Sequence, residues 1–270
     1  MEVVERIEDF DKLKENTFLG VKPSLLNTKI TFKGTNNIFY CEEGVEIEKS
    51  ILNFNESNSV IYLGSNTNKY FLNVSMHYDS VLYFGINNFM QSSMRIILSE
   101  QKNIIIGDDG LFSGGIHMRV ADPHLIYDGM TKRRLNYSKS IYIGDHVWMG
   151  YNAMILKGTA IGSGSIVGAA AIVAGKRIPS NTSWVGNPSK QVAKNIFFLK
   201  GNVHSYREEE TVQSQEKNSK KFLYTKDKDE NIAFSEIENS LMQRKTAEDK
   251  LKYLQDKMVG NQAKNRFYVK

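Results

Sequence analysis

Cysteine is almost missing from these 270 residues: Cys41 stands alone, so no intrachain disulfide can form. A reducing compartment, the cytoplasm, is the expected location. No apolar run approaches the roughly 18 residues of a membrane span. The first residues, MEVVERIEDFDKLKEN, are acidic and lack the basic start and apolar stretch of a secretory leader. Prolines number only four, and two of them, Pro179 and Pro188, lie close together. The net charge of +5 and pI near 9.0 are basic but diffuse. That balance suits an acidic substrate or a membrane surface, and no nucleic-acid motif accompanies it.

What is present is a period. In residues 141–174, IYIGDHVWMGYNAMILKGTAIGSGSIVGAAAIVA, the aliphatics Ile143, Met149, Ile155, Ile161, Val167 and Val173 recur every six residues. Glycine follows at Gly144, Gly150, Gly162 and Gly168, and small residues precede the later aliphatics. A helix repeats at 3.6 residues and a strand at 2. A period of six suits a chain that makes a short strand, turns, and begins the next face of a coil, with every sixth side chain on the axis. The expected fold is an all-β solenoid, a parallel β-helix.

Longer spacings report the coils. Gly64, Gly85, Gly107, Gly144 and Gly162 close similar strands and are 21, 22, 37 and 18 residues apart. Three hexapeptides make 18, so one coil carries an extra 19 residues. The count of six runs through Ile106, Phe112, Met118 and His124 and resumes at Tyr137 or Ile143, which predicts an extruded loop over 122–139. A long loop leaving a regular scaffold is a common place for function.

Pro179 and Pro188 are expected to stop the coil. A short helix then caps its end with Ile196, Phe197 and Leu199. Residues 207–230 read as a linker. The stretch 235–258 reads as an amphipathic packing or oligomer helix, with a capping box of Ser235 and Glu238 and a stripe of Ile237, Leu241, Leu251, Leu254 and Met258. A membrane-surface helix is the alternative. The expected division is an N-terminal segment 1–35, a β-helix 36–190 and a helical extension 191–270.

The motifs IGDHVWMG, ILKGTAIG, GSIVGAAAIV and VGNPSK resemble the hexapeptide-repeat acyltransferases. IGDDGLFSGGIHMRVADPHLIYD is similar to the sugar O-acetyltransferases of bacterial capsule and surface-polysaccharide loci. The resemblance implies a left-handed coil, acetyl-CoA as co-substrate, no metal, and a homotrimer with donor sites between subunits. It implies an O-acetyltransferase acting on a sugar hydroxyl of a bacterial polysaccharide or its sugar-nucleotide precursor. His124, in DPHLIYD, is then the general base, because a hydroxyl is a weak nucleophile until its proton leaves and imidazole titrates near neutral pH. Trp148, 24 residues later, matches the tryptophan paired with that histidine.

Asp122 or Asp128 is expected to orient the imidazole, and Arg133 and Arg134 to bind an anionic acceptor. Gly150, Gly168, Ala169 and Ala170 are expected to admit the pantetheine arm, and Lys176, Arg177 and Lys190 to meet its phosphates. His117 is expected to face out, and His146 to serve a turn. Three rival readings remain: an N-acetyltransferase on an aminosugar nucleotide, a metalloenzyme such as a γ-type carbonic anhydrase needing three imidazoles, and a non-catalytic scaffold.

Overall fold

The computed structural model describes residues 1–270. Three parallel sheets wrap one axis. Sheet 1 stacks Lys29–Phe32, Ile51–Phe54, Leu72–Met76, Met94–Leu98, His117–Arg119, Met154–Leu156 and Ile172–Ala174. Sheet 2 stacks Thr17–Gly20, Ile38–Cys41, Val60–Leu63, Val81–Phe84, Ile104–Ile106, Ile141–Ile143, Ala160–Ile161 and Arg177–Ile178. Sheet 3 stacks Phe89–Met90, Leu111–Phe112, Trp148–Met149, Ile166–Val167 and Thr182–Val185. In the earliest coils its place is taken by Ser24–Leu26 paired with Glu46–Glu48.

The pairing register explains the spacings. Leu63 pairs with Phe84, Phe84 with Ile106, Ile106 with Ile143, Ile143 with Ile161 and Ile161 with Ile178. Ile143, Met149, Ile155, Ile161, Val167 and Val173 are all fully buried. Each contributes roughly 1.5–3 kcal/mol of apolar burial. They belong to one core of 39 buried residues that runs from Val4 to Ile178. Early coils are longer and hold larger side chains, with Phe32 and Phe54 stacked at 4.6 Å.

The glycine column has a steric cause. A Cβ on Gly107 would lie 2.3 Å from Asp145 Oδ1 and 2.8 Å from the carbonyl carbon of Gly144. Asp145 reaches back under the preceding coil, and its Oδ1 accepts from the Asp108 N–H at 2.7 Å.

Five expectations change. The coils begin at Thr17 instead of residue 36, since Thr17–Gly20 already pairs in parallel with Ile38–Cys41. The count of six ends at Met118: His124 is exposed, and Lys139 donates to the Val120 carbonyl at 3.0 Å to close the loop. No helix forms over residues 191–199. Lys190–Lys194 is a strand paired antiparallel with Thr182–Val185, which covers the open edge of sheet 3. Of its successors Phe198, not Leu199, is buried. The linker holds a helix, α1 (Glu208–Gln213), and a buried anchor, Tyr224.

The fifth change is in the extension. It is two helices, α2 (Phe234–Gln243) and α3 (Ala247–Leu254), broken where Thr246 accepts from the Asp249 N–H and caps the second. Ser235 and Glu238 form no capping box. The Glu238 carboxylate is taken by Ser140, Tyr142 and Lys102. The predicted stripe is buried, against the outward Tyr62, Tyr83 and Tyr142 of sheet 2, so it packs on the coil. No helix is long and apolar enough to cross a membrane.

Gly107→Ala is expected to destabilise the chain by about 1–3 kcal/mol in urea titrations, because backbone stands where the methyl would go. Gly129→Ala, with nothing within 4 Å, is expected to stay within about 0.5 kcal/mol of the parent.

Candidate active site

The loop between His117–Arg119 and Ile141–Ile143 is a stiff finger. Its arms pair as Asp128 N–H to the Arg133 carbonyl and Leu135 N–H to the Ile126 carbonyl, both at 2.8 Å. Asp128 closes the tip by accepting from the Thr131 N–H at 2.6 Å, the Thr131 hydroxyl at 2.9 Å and the Met130 N–H at 3.0 Å. These donors, Thr131 first, hold its carboxyl below the usual range. At the base Arg134 forks onto Glu100 at 2.6 and 2.9 Å, and Ser138 joins the same carboxylate.

His124 stands exposed on this finger. Asn136, itself buried, fixes the backbone around it. Its Nδ2 donates to the His124 carbonyl at 2.7 Å and its Oδ1 accepts from the Ile126 N–H at 3.0 Å. The imidazole makes no hydrogen bond within the chain. Neither Asp122 nor Asp128 bonds to it. Lys157 engages Asp122 at 2.6 Å and holds its carboxyl down, and Asp128 is spent on the tip. Arg134 is committed to Glu100, whereas Arg133 is exposed and without an ion pair.

Trp148 lies elsewhere. It projects from sheet 3, paired with Leu111 and Ile166 and 36% exposed. His124 lies at the corner where sheet 1 passes to sheet 2, across the coil from that face. Within one chain the two side chains do not meet. The Trp148 ring lies 5.8 Å from Phe198, which stacks on His146 at 4.0 Å. His146 takes a turn conformation, φ +52°, as expected. It is also a buried clamp. Phe198 and Phe222 sandwich its ring, and its nitrogens meet Asp109 at 2.8 Å and the Phe198 carbonyl at 3.0 Å.

Of the small residues expected for the donor, Gly150 shares the coil of Trp148, and Gly168, Ala169 and Ala170 lie one coil above. A Cβ on Gly150 would come within 2.5 Å of the Ala169 nitrogen, so these coils touch backbone to backbone. The Gly150 N–H is used by Val167, and the Trp148 N–H by Ser165. Gly168 is half-buried; Ala169 and Ala170 are exposed. The Ala170 N–H is used by Tyr151, while the Ala169 N–H has no protein acceptor. The three expected phosphate cations do not form one cluster. Lys176 lies over the Trp184 ring at 5.7 Å, and Lys190 pairs beside Val185 on the same sheet. Arg177 turns to sheet 2, where it borders a depression of about 280 Å³ with Lys226, Lys228 and Lys270.

Sequence reading missed Asn136, Glu100, Lys157 and the Phe198–His146–Phe222 stack. Their partners lie far off in sequence, and no local motif announces them. His117 faces out, as expected. No trio of His, Cys, Asp or Glu is placed to hold a metal ion.

No family model matches the chain. A stretch of 144 residues is 32% identical to the polysialic acid O-acetyltransferase of Neisseria meningitidis, covering 53% of this chain and 66% of that one. Over 104 residues the chain is 32% identical to the polysialic acid O-acetyltransferase of Escherichia coli O1:K1 / APEC, covering 38% and 34%. The chain thus spans just under two thirds of the first relative and about one third of the second. The crystal structure of the polySia specific acetyltransferase NeuO superposes with a TM-score of 0.59, at 27% identity, over 71% of this chain and 88% of that one. The coil is the left-handed β-helix of such acetyltransferases.

Arg134, then Ser138, holds the Glu100 carboxyl at about 2. A depressed carboxyl stabilises the fold above its ordinary range and loses that effect as pH falls through the folded value. Glu100→Gln is expected to speed tryptic cleavage after Lys132 and Arg133 several-fold at neutral pH. The gap in melting temperature between parent and variant is expected to close as pH drops from about 5 toward 2.

Proposed function

The chain is a relative of the hexapeptide-repeat sugar O-acetyltransferases, and from that premise we propose that it transfers the acetyl group of acetyl-CoA to a sugar hydroxyl of a bacterial capsular or surface polysaccharide. The observation that carries this reading is His124: an exposed imidazole without an internal partner, on a finger whose backbone Asn136 and Glu100 hold still. A base so placed is free to take a proton from a bound acceptor and pre-aligned to do so.

In the proposed step His124 accepts the acceptor hydroxyl's proton as the oxygen attacks the thioester carbonyl. The tetrahedral oxyanion meets a backbone donor; the N–H of Ala169, which has no acceptor in the chain, suits that part. Collapse breaks the carbon–sulfur bond, and the imidazolium returns its proton to the departing thiolate. The close backbone contact at Gly150 and the small, open Gly168–Ala170 corner fit a slender pantetheine arm, and Lys176 and Lys190 lie beside the same sheet for its phosphates.

One chain does not complete this site, because His124 and Trp148 lie on opposite sides of the coil. A homotrimer that sets the Trp148 face of one copy against the finger of the next joins them. The finger fits that role. Leu125, Ile126, Tyr127, Leu135 and Tyr137 are each more than half exposed, and Met130 is 90% exposed, an apolar surface that a neighbour would cover.

The test is thiol release from acetyl-CoA with a panel of bacterial glycans and sugar nucleotides. Glycan-dependent release is expected, with His124→Ala lowering kcat by roughly 100-fold or more while acetyl-CoA binding persists. Full activity in that variant rules out His124 as the base. Turnover with an aminosugar nucleotide alone would favour N-acetyl transfer.

A further inference from the structure

The outer face of sheet 1 carries three basic side chains without an ion pair. Arg95 pairs across the ladder with His117, and Arg119 lies two residues further along the same face. Directly paired neighbours in a sheet are about 5 Å apart, so the three crowd together. None of them makes an ion pair or a side-chain hydrogen bond within the chain. His117 Nε2 and Arg119 Nε are shut off from solvent with no partner. Around them lie Ile97, Met154, Leu156 and Ile172, and the acid nearest in sequence to Arg119, Asp122, is held by Lys157. Burial, Arg119 and Arg95 together push the His117 imidazole below its ordinary value, toward the neutral form.

Such an arrangement opposes folding on its own. Like charges repel, and buried donors without acceptors are destabilising. An anionic group would relieve the repulsion. Its position is also informative: the strand His117–Arg119 runs straight into the finger, and His124 follows Arg119 by five residues, at most about 18 Å of chain.

We infer that Arg95, His117 and Arg119 form the subsite that holds a carboxylate of an acidic acceptor glycan beside the base, and so select acidic over neutral sugars. The inference rests on the transferase reading and names its substrate class. A guanidinium fork matches the planar carboxylate, and Arg95, exposed on this face, presents its fork to solvent.

The experiment measures binding rather than turnover, so that it stands apart from the catalytic reading. Calorimetric titrations use a sialic acid oligomer, its carboxyl-reduced counterpart, and acetyl-CoA. The proteins are the parent chain, Arg95→Gln/Arg119→Gln, and a charge-loss control, Lys22→Gln/Lys33→Gln, on the first coil. Melting and sizing confirm that each is folded and has the parent's assembly state.

The parent is expected to bind the carboxylated oligomer about tenfold or more tightly than the reduced one. The arginine variant is expected to lose that preference while keeping its Kd for acetyl-CoA, and the control is expected to stay within about twofold of the parent. The inference is overturned if the parent does not bind the carboxylated oligomer or if the arginine variant binds it unchanged. It is overturned equally if that variant loses acetyl-CoA instead, which would assign the cluster to the donor's phosphates, or changes its assembly state, which would make it a subunit contact. Absence of turnover with intact carboxylate-selective binding would sink the transferase reading and leave the subsite standing.

Discussion

Everything else in this molecule depends on how closely one coil lies on the next. At the corner of Gly64, Gly85, Gly107, Gly144 and Gly162 the backbones approach so tightly that any Cβ would meet an atom of the following coil within 3 Å. That contact sets the register of sheet 2, and through it the inward stacking of Ile106, Ile143, Ile161 and Ile178. A one-residue slip would turn these side chains outward. The same closeness at Gly150 and Ala169 makes the small, open corner on which the donor reading rests.

The C-terminal extension answers a problem that the tight corner creates. Asp108 and Asp145 lie at that corner with their carboxylates close together, and burial pushes the Asp108 carboxyl upward, with Arg266 opposing. Arg266 arrives from the far end of the chain and bonds both acids, at 2.7 Å to Asp108 and 2.8 and 2.9 Å to Asp145. Phe267 and Val269 beside it accept from the backbone N–H groups of Ser163 and Ser180. The tail is therefore part of the coil's wall. It also carries α2 and α3 across the tyrosines of sheet 2, which would otherwise form a wide apolar face.

The coil was legible because its cause is local and repeated. Six aliphatics at equal spacing occupy one environment, and glycine marks the one corner with no room. The loop was legible as an interruption of that count, and its limits hold to within about one residue. His124 did not belong in the count: six-residue spacing without an aliphatic side chain carries no signal of burial, and the chain had already left the coil at Val120. Ser235 and Glu238 had the spacing of a cap, but Glu238 found better partners in Ser140 and Tyr142, nearly a hundred residues away. Asp122 failed as an orienting group for the same reason, its partner Lys157 being 35 residues on. Local spacing predicted what local forces decide. Contacts between distant segments were out of its reach.

The finger carries the last step. A solenoid repeats each face from coil to coil, so residues on sheet 3 stay on sheet 3 and cannot approach the opposite corner. Between the first and last coils, the excursion of 121–139 escapes that rule. Yet its base is held by Glu100 and Arg134 and its first turn by Asn136, so it is not free to swing around the coil. A base on such a finger reaches a second face only if that face belongs to another copy. On the proposed reading, rigidity in the finger and assembly of the chain are then two sides of one requirement. The stiffness that aligns His124 also makes the site depend on a neighbour, and the apolar Leu125, Ile126 and Met130 give that neighbour a surface to cover.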